Sequence, residues 1–259
     1  MSVTSSAPVN HWPDDACARA FWGQHKIPPY RQLLADTLAW LDPQPGQHWL
    51  DLGCGCGQLT QSLWTKSTGK VGRIVALDCA SVNERAIQKL QISLQPRPRA
   101  GQIRFVSSDF SAGLCDWRDG QFDGVVSGLA IQYAEHYSEA ARCWTTEAYD
   151  RLLEEIWRVL RPNGPFVFSV NVPEPSWGKV AVHSWTGIFQ TRQPGRYLKN
   201  ALRMLRYGAW LSREARRGRF HYLPLALILS KLHHIGFTGI EHRLSFAGQA
   251  YLFRCRKSP

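Results

Sequence analysis

The chain has 259 residues, of which 44% are hydrophobic and 20% are charged, and its formal net charge is +11. This length allows one large α/β domain with a sizeable insertion, and the composition is that of an ordinary globular protein. No apolar run reaches the roughly 18 residues of a membrane span and no signal peptide is recognisable, so we expect a cytoplasmic protein.

Short apolar segments alternate with amphipathic ones over the first two thirds of the chain. Residues 1–44 are expected to hold two helices, at 14–22 and 30–41. Beyond them the pattern predicts strands at 47–52, 72–77, 102–107, 121–127 and 165–171. Helices are predicted between the strands, at 58–66, 83–93 and 145–160. Such alternation is typical of a parallel sheet that is covered by helices on both faces.

The pattern changes after residue 172. Residues 173–223 begin irregularly and then become strongly basic, and they are expected to form an insertion. The rest of the chain, 224–259, is expected to return to the core. It would do so with a helix at about 223–235 and an antiparallel hairpin of strands 237–245 and 248–256.

Residues 49–57 read Trp-Leu-Asp-Leu-Gly-Cys-Gly-Cys-Gly, where a short strand ends and a helix follows. Three glycines stand at alternate positions: Gly53, Gly55 and Gly57. Glycine permits positive φ and lets a ligand approach the backbone at a helix N-terminus. A dinucleotide fingerprint would need a third small residue where Gln58 stands. Cys54 and Cys56 have no second cysteine pair nearby, so no metal site is expected.

Carboxylates stand at the ends of the next two predicted strands. Asp78 can accept two hydrogen bonds from the hydroxyls of a ribose, although a helix N-cap is the alternative. Asp109 can accept from the amine of an adenine, with Phe110 packed on the purine, although a turn former is the alternative. A loop of small residues, 127–129, follows the fourth strand. Because ligands bind beyond the carboxyl ends of strands in open α/β sheets, these segments predict one site.

These segments resemble the successive motifs of the ubiquinone/menaquinone-type small-molecule methyltransferases, which belong to the class I enzymes that use S-adenosylmethionine. The motifs are Leu-Asp-Leu-Gly-Cys-Gly-Cys-Gly, Ala-Leu-Asp, Ser-Ser-Asp-Phe, Phe-Asp-Gly-Val-Val-Ser-Gly-Leu-Ala and Arg-Val-Leu-Arg-Pro-Asn-Gly. The resemblance implies an α/β, Rossmann-like fold. Its seven-stranded, mostly parallel sheet would carry an antiparallel C-terminal hairpin, helices on both faces and a helical lid insertion.

The resemblance also implies a division of labour along the chain. Residues 1–44 would form a helical cap, 45–172 the S-adenosylmethionine-binding core, 173–223 the lid that contacts the substrate, and 224–259 the closing helix and hairpin. Asp51 and the glycine turn would hold the methionine part of the cofactor, Asp78 the ribose, and Asp109 the adenine. The full set of predicted cofactor contacts is Tyr30, Arg31, Asp51, Gly53, Cys54, Gly55, Gly57, Asp78, Cys79, Asp109, Phe110, Ser127, Gly128 and Leu129.

The methyl acceptor is less evident from the sequence. Displacement at a sulfonium depends mostly on positioning, and a base is needed only if the acceptor keeps a proton. His136 and Tyr133 follow the fourth strand and are candidates for this base; a solvent-facing loop position is the alternative for His136. We expect a small, apolar or aromatic acceptor that reacts through oxygen, nitrogen or carbon. RNA or protein methylation, and cofactor binding without catalysis, are the alternatives.

The basic segment, residues 192–219, holds nine basic residues and one acid. On a helical wheel its basic residues border an apolar stripe, so an amphipathic helix is expected. Such a helix could contact an anionic membrane surface near a lipid-like substrate. It could also bind a nucleic-acid backbone, or lie in solvent as a lid whose apolar side covers the pocket. Nucleic acid is not the partner we expect, and the oligomeric state is left open.

Overall fold

The computed structural model describes residues 12, 14, 18–19, 21–184 and 194–259, without the side chains of 194 and 196–205. The strands in this part of the chain are β1 (His48–Leu52), β2 (Arg73–Asp78), β3 (Ile103–Ser107), β4 (Gly124–Gly128), β5 (Tyr137–Ser138), β6 (Cys143–Trp144), β7 (Pro165–Asn171), β8 (Phe237–Ser245) and β9 (Ala250–Lys257). The α-helices are α1 (Pro28–Trp40), α2 (Gln58–Lys66), α3 (Asn83–Ser93), α4 (Glu147–Val159), α5 (Trp177–Ser184), α6 (Pro194–Arg216) and α7 (Leu225–Ile235).

Seven strands form one sheet in the order β3-β2-β1-β4-β7-β9-β8. The strands from β3 to β7 in this order run parallel, and β9 runs antiparallel to both β7 and β8. The predicted mostly parallel sheet with an antiparallel C-terminal hairpin is therefore confirmed. Because β2 and β4 flank β1, the strand order reverses at β1, where open α/β sheets form a crevice beyond the carboxyl ends of the strands.

Both faces of the sheet are covered, as the apolar strand pattern predicts. In β7, Phe166 and Phe168 belong to a buried cluster that includes Ile156 of α4. The intervening Val167 belongs to a second buried cluster, together with Leu63 of α2. Successive side chains of a strand point to opposite faces, so these two clusters are the two layers of the core.

Three local predictions differ from the structure. Helix α5 lies in a stretch that was expected to be irregular, and the β5–β6 hairpin was not predicted. The last strand begins at Ala250 rather than at 248, because Phe246, Ala247 and Gly248 have positive φ and form the turn. Residues 15–17 and 20 of the helix predicted at 14–22 lie outside the described residues. The division of the chain at 44, 172 and 223 stays a prediction.

Candidate active site

The turn after β1 owes its shape to the positive φ of its glycines, which is 73° at Gly53 and 52° at Gly55. A Cβ on Gly53 would lie 2.2 Å from the Cβ of Ala130, so the loop after β4 packs directly on the turn. A Cβ on Gly55 would meet no atom within 4 Å. Gly55 also lines a cavity, so the space beside it is open to a ligand.

Gly57 has a different role from the other two glycines. It is the N-cap of α2, and its φ is 90°. A Cβ there would lie 2.7 Å from Ile87 and 2.8 Å from Leu90 of α3. The structure therefore places Gly57 in the packing of two helices, and not in the cavity wall where it was expected.

Asp78 ends β2 and ties the turn to the next loop. Its Oδ2 accepts a hydrogen bond from the Gly55 N–H, and its Oδ1 accepts one from the Ala80 N–H, both at 2.9 Å. Burial raises the pKa of Asp78, and these hydrogen bonds oppose the rise. A carboxylate oxygen has two lone pairs, so Asp78 can accept further hydrogen bonds from hydroxyls of a ligand in the cavity it lines.

Asp109 follows β3 and forms a turn there, as the alternative to its predicted adenine contact describes. Its Oδ1 accepts a hydrogen bond of 2.8 Å from the Ser111 N–H and caps a short 3₁₀ turn, Phe110–Ala112. Asp109 and Phe110 both line the cavity. A carboxylate and an aromatic ring thus stand together at this strand end.

Asp51 lies beneath the glycine turn, within β1, and is fully buried. Its Oδ2 accepts a hydrogen bond of 2.6 Å from the Thr60 hydroxyl, whereas its Oδ1 has no partner among the described residues. Burial raises the pKa of Asp51 to about 7, and the charge of Asp78 adds to the rise. Asp51 is not among the residues that line the cavity, so it lies behind the turn, where its ionised carboxylate would favour a cationic group such as an amino-acid ammonium bound at the turn.

The cavity has a volume of about 1140 Å³, including its open mouth. Strand-end residues form one part of its lining: Gly53, Cys54, Gly55, Asp78, Cys79, Asp109, Phe110, Gly128 and Leu129. Another part is the aromatic cluster, which we define as Trp12, Phe21, Tyr133, Trp177 and Tyr207. The ring centroids of Trp12 and Tyr133 are 4.4 Å apart, and those of Phe21 and Tyr207 are 5.0 Å apart. Among the described lining residues, the charged ones are Asp78 and Asp109.

Helix α6 covers this cavity with its apolar side. Tyr207, Gly208 and Leu211 line the cavity. A Cβ on Gly208 would lie 2.5 Å from the ring of Trp177, so α6 can approach α5 closely only with glycine there. The described part of α6 thus matches a lid whose apolar side covers the pocket.

The basic segment is not one charged surface. Arg206, Arg213 and Arg216 are exposed, but Arg219 is only 11% exposed. Its guanidinium lies 2.9 Å from an oxygen of Glu135 and 3.5 Å from one of Glu214. Several other basic positions, Arg192, Arg196, Lys199 and Arg203, lie outside the described side chains.

Tyr133 lines the cavity, and its hydroxyl lies 3.2 Å from that of Tyr222. Burial raises the pKa of Tyr133 to about 12. A phenol with this pKa keeps its proton near neutral pH, so it is a poor base and a good hydrogen-bond donor.

His136 is not among the residues that line the cavity. Its Nδ1 lies 2.6 Å from the Thr145 hydroxyl and 3.3 Å from an oxygen of Glu147. These contacts hold the ring beside the small β5–β6 hairpin. The structure does not bring His136 to the site where its predicted role as a base would require it.

The other predicted cofactor contacts also divide into residues that line the cavity and residues that do not. Tyr30 lines the cavity, packed edge-on against Phe246. Arg31 does not line it and points its guanidinium at the Lys26 carbonyl, 3.5 Å away. Ser127 is buried below the cavity and donates to the Leu52 carbonyl at 2.7 Å.

Asn171 lines the cavity and was missed in the sequence. It ends the apolar strand β7, so the strand-end rule that singled out Asp78 would also have found it. Most of the aromatic cluster carries no comparable signal, because its members come from distant segments. Trp12 and Phe21 come from the N-terminal part of the chain, whereas Trp177 belongs to α5 and Tyr207 to α6.

Comparisons with known proteins agree with this architecture. Residues 50–168 match the model of the family described as Methyltransferase domain. A 2-phytyl-1,4-naphtoquinone methyltransferase of Nostoc sp. is 28% identical over 142 residues, which are 54% of this chain and 52% of the relative. An O-methyltransferase of Pyrenophora dematioidea is 26% identical over 164 residues, which are 61% and 52% of the two chains. The chain thus spans about half the length of the curated relatives it matches.

Solved structures share the fold at low sequence identity. A chain from the complex between the Haloferax volcanii Trm112 methyltransferase activator and a methyltransferase matches with a TM-score of 0.62 at 17% identity. The match covers 98% of this chain and 100% of that chain. The N-methyltransferase NodS from Bradyrhizobium japonicum, solved with S-adenosyl-L-homocysteine, matches with a TM-score of 0.56 at 14% identity, over 92% of each chain. Residues 50–168 therefore form a methyltransferase domain that is similar to the S-adenosylmethionine-dependent enzymes of the ubiquinone/menaquinone type.

Proposed function

We propose that the protein transfers a methyl group from S-adenosylmethionine to a small aromatic or apolar molecule. The observation that carries this proposal is the composition of the cavity wall. Its carboxylates, Asp78 and Asp109, stand at the strand ends, and the aromatic cluster adds no charge among the described lining residues. Such a wall favours an uncharged, flat acceptor over a nucleic-acid backbone.

The residues at the strand ends fit the cofactor. We assign the ribose to Asp78, the adenine to Asp109 and Phe110, and the amino-acid part to the turn around Gly55 with Asp51 below it. The cavity extends beyond these strand ends to the aromatic cluster. The remaining space beside the aromatic cluster can hold an acceptor.

The chain's contribution to the reaction is positioning. When bound, S-adenosylmethionine supplies a methyl group on a positively charged sulfur. The aromatic rings hold a flat acceptor in one orientation and exclude water, and such positioning accounts for a large part of the rate in displacement reactions. Tyr133 stays protonated and can donate a hydrogen bond, so we give it a positioning role rather than that of a base.

A transfer assay with radiolabelled S-adenosylmethionine tests the proposal. Three acceptor classes are offered separately: phenols and reduced naphthoquinones, RNA, and unfolded protein. We expect label in the small aromatic compounds alone, and none with the Asp78→Ala variant. Label in RNA or protein instead would contradict the proposed acceptor class, and cofactor binding without transfer to any acceptor would favour a non-catalytic protein.

Asp51 predicts a pH dependence for cofactor binding. If the charge of Asp51 attracts the ammonium of the cofactor from behind the turn, binding is tightest with the ionised carboxylate, which forms as the group loses its proton near pH 7. Affinity for S-adenosylhomocysteine should therefore rise between pH 6 and about 7.5, and fall above about 8 as the ammonium deprotonates. Calorimetry at several pH values measures this, and Asp51→Asn should flatten the rising limb. An unchanged profile in this variant would exclude Asp51 as the cause.

Peripheral contact with an anionic membrane through residues 192–219 stays a prediction. The exposed Arg206, Arg213 and Arg216 support it. Within the described ranges, no helix is long and apolar enough to cross a bilayer. We expect co-sedimentation with phosphatidylserine vesicles that weakens as salt is added. Binding that is unaffected by Arg206→Glu with Arg213→Glu would count against this contact.

A further inference from the structure

A small polar group borders the aromatic part of the cavity, which Tyr133 and Asn171 line. It consists of Tyr133, Tyr222 and Asn171. The two phenol oxygens are 3.2 Å apart, and the nearby Asn171 amide opposes the rise in the pKa of both tyrosines that burial causes. The NH₂ group of the Asn171 amide therefore faces the hydroxyls of the two tyrosines.

The oxygen of the Asn171 amide, unlike its NH₂ group, has no protein partner among the described residues. The residue is 1% exposed and lines the cavity, but its Oδ1 has no hydrogen-bond partner among the described residues. Buried polar atoms in proteins are nearly always paired, and an unpaired one calls for a specific reason. An amide oxygen in a ligand-sized cavity suits a donor that arrives with the ligand.

The backbone at Asn171 is fixed without help from its side chain. Its N–H donates to the Gln132 Oε1 at 2.5 Å, and the Gln132 amide donates to the Leu129 carbonyl at 3.3 Å. Gln132 is fully buried. The strand end would therefore keep its position with an apolar side chain in place of Asn171, so backbone placement does not explain the unpaired oxygen. The contact of the amide with the two tyrosines does not use this oxygen either.

We propose that Asn171 accepts a hydrogen bond from an uncharged O–H or N–H group on the ring of the methyl acceptor. Asn171 is then a specificity-determining residue, which selects aromatic molecules that carry a donor over those that carry only ether or carbonyl oxygens. This inference rests on the proposed function, because it takes the aromatic cluster as the acceptor site. The rings of the aromatic cluster offer stacking to the methyl acceptor, and the Tyr133 hydroxyl can donate to it, so the unpaired oxygen of Asn171 is the group that favours a donor on the acceptor.

Two compounds that share the naphthalene ring test the inference: 1-naphthol, which has an O–H donor, and 1-methoxynaphthalene, in which a methyl group replaces the donor hydrogen. Their affinities are measured by calorimetry with S-adenosylhomocysteine present. We expect the intact protein to bind 1-naphthol roughly tenfold more tightly. Asn171→Leu should remove this preference and leave the affinities for 1-methoxynaphthalene and S-adenosylhomocysteine unchanged. Asn171→Asp, which keeps an acceptor oxygen, should retain the preference.

The outcomes separate this inference from the function on which it rests. If both compounds bind the intact protein equally, or if Asn171→Leu keeps the preference, Asn171 does not select the donor although an aromatic acceptor site exists. If neither compound binds, the proposed acceptor site is wrong, and the role of Asn171 with it. An unchanged affinity of Asn171→Leu for S-adenosylhomocysteine shows that the variant is folded.

Discussion

Replacing Asp78 by alanine should lower the affinity for S-adenosylhomocysteine by roughly 100-fold or more. The variant loses the acceptor for the ribose hydroxyls and the anchor of the Gly55 and Ala80 N–H groups. Hydrogen bonds to charged groups contribute about 1.5–3 kcal/mol each, so the loss of two ligand contacts accounts for this factor. Isothermal titration calorimetry measures it directly.

Asp119→Ala is the matched control for Asp78→Ala. The Asp119 side chain is 82% exposed and is paired with Arg158, away from the cavity lining. We expect its affinity for S-adenosylhomocysteine to equal that of the intact protein. A folded Asp78→Ala variant that binds within threefold of the intact protein would show that the ribose does not lie at Asp78.

Replacing Arg219 by methionine should lower the free energy of unfolding by about 3–5 kcal/mol. Arg219 is the partner of two carboxylates that are themselves almost buried, with 6% exposure at Glu135 and 8% at Glu214. Its guanidinium also lies 4.9 Å from the centre of the Trp144 ring. Removal leaves Glu135 uncompensated, and leaves Glu214 with the exposed Arg217 alone, at the junction between the end of α6 and the segment after β4. Chemical denaturation at pH 8 measures the change.

The loss should be smaller at pH 6 than at pH 8. Burial raises the pKa of Glu135 to about 7 although Arg219 opposes the rise, and the charges of Asp109 and Glu214 add to it. Without Arg219 the folded state binds more protons than the unfolded state between pH 5 and 8, so stability falls as pH rises. Protonation at pH 6 relieves the uncompensated charge.

Arg217→Met provides the control for Arg219→Met. Arg217 pairs with the same Glu214 at 3.0 Å, but its side chain is 65% exposed. Exposed ion pairs contribute about 0–1 kcal/mol, so this variant should be close to the intact protein. Equal losses for Arg217→Met and Arg219→Met would contradict the view that burial makes Arg219 essential.

Local sequence was enough to predict the sheet and the strand-end groups. Asp78 and Asp109 could be placed at one cavity, because parallel strands bring their carboxyl ends to the same edge of the sheet whatever the rest of the chain does. Gly55 followed from the same turn. Gly57 has the same motif position but packs on α3, and that contact depends on residues about thirty positions away in the chain.

The aromatic cluster, where we place the methyl acceptor, could not be predicted because it is assembled from distant segments of the chain. Trp12, Tyr133 and Tyr207 meet only once α6 covers the sheet. His136 follows the fourth strand in sequence, but the β5–β6 hairpin turns it towards Thr145. Arg219 was counted with the exposed basic residues because nothing local shows that two buried acids face it.

A crystal structure with S-adenosylhomocysteine and 1-naphthol bound tests the central claim most directly. The proposed function predicts the ribose hydroxyls within hydrogen-bond distance of Asp78, the adenine beside Phe110, and the sulfur facing the aromatic cluster with the naphthol stacked there. A cofactor bound elsewhere, or a sulfur that faces away from Tyr133 and Asn171 with the aromatic cluster closed to ligand, would contradict it.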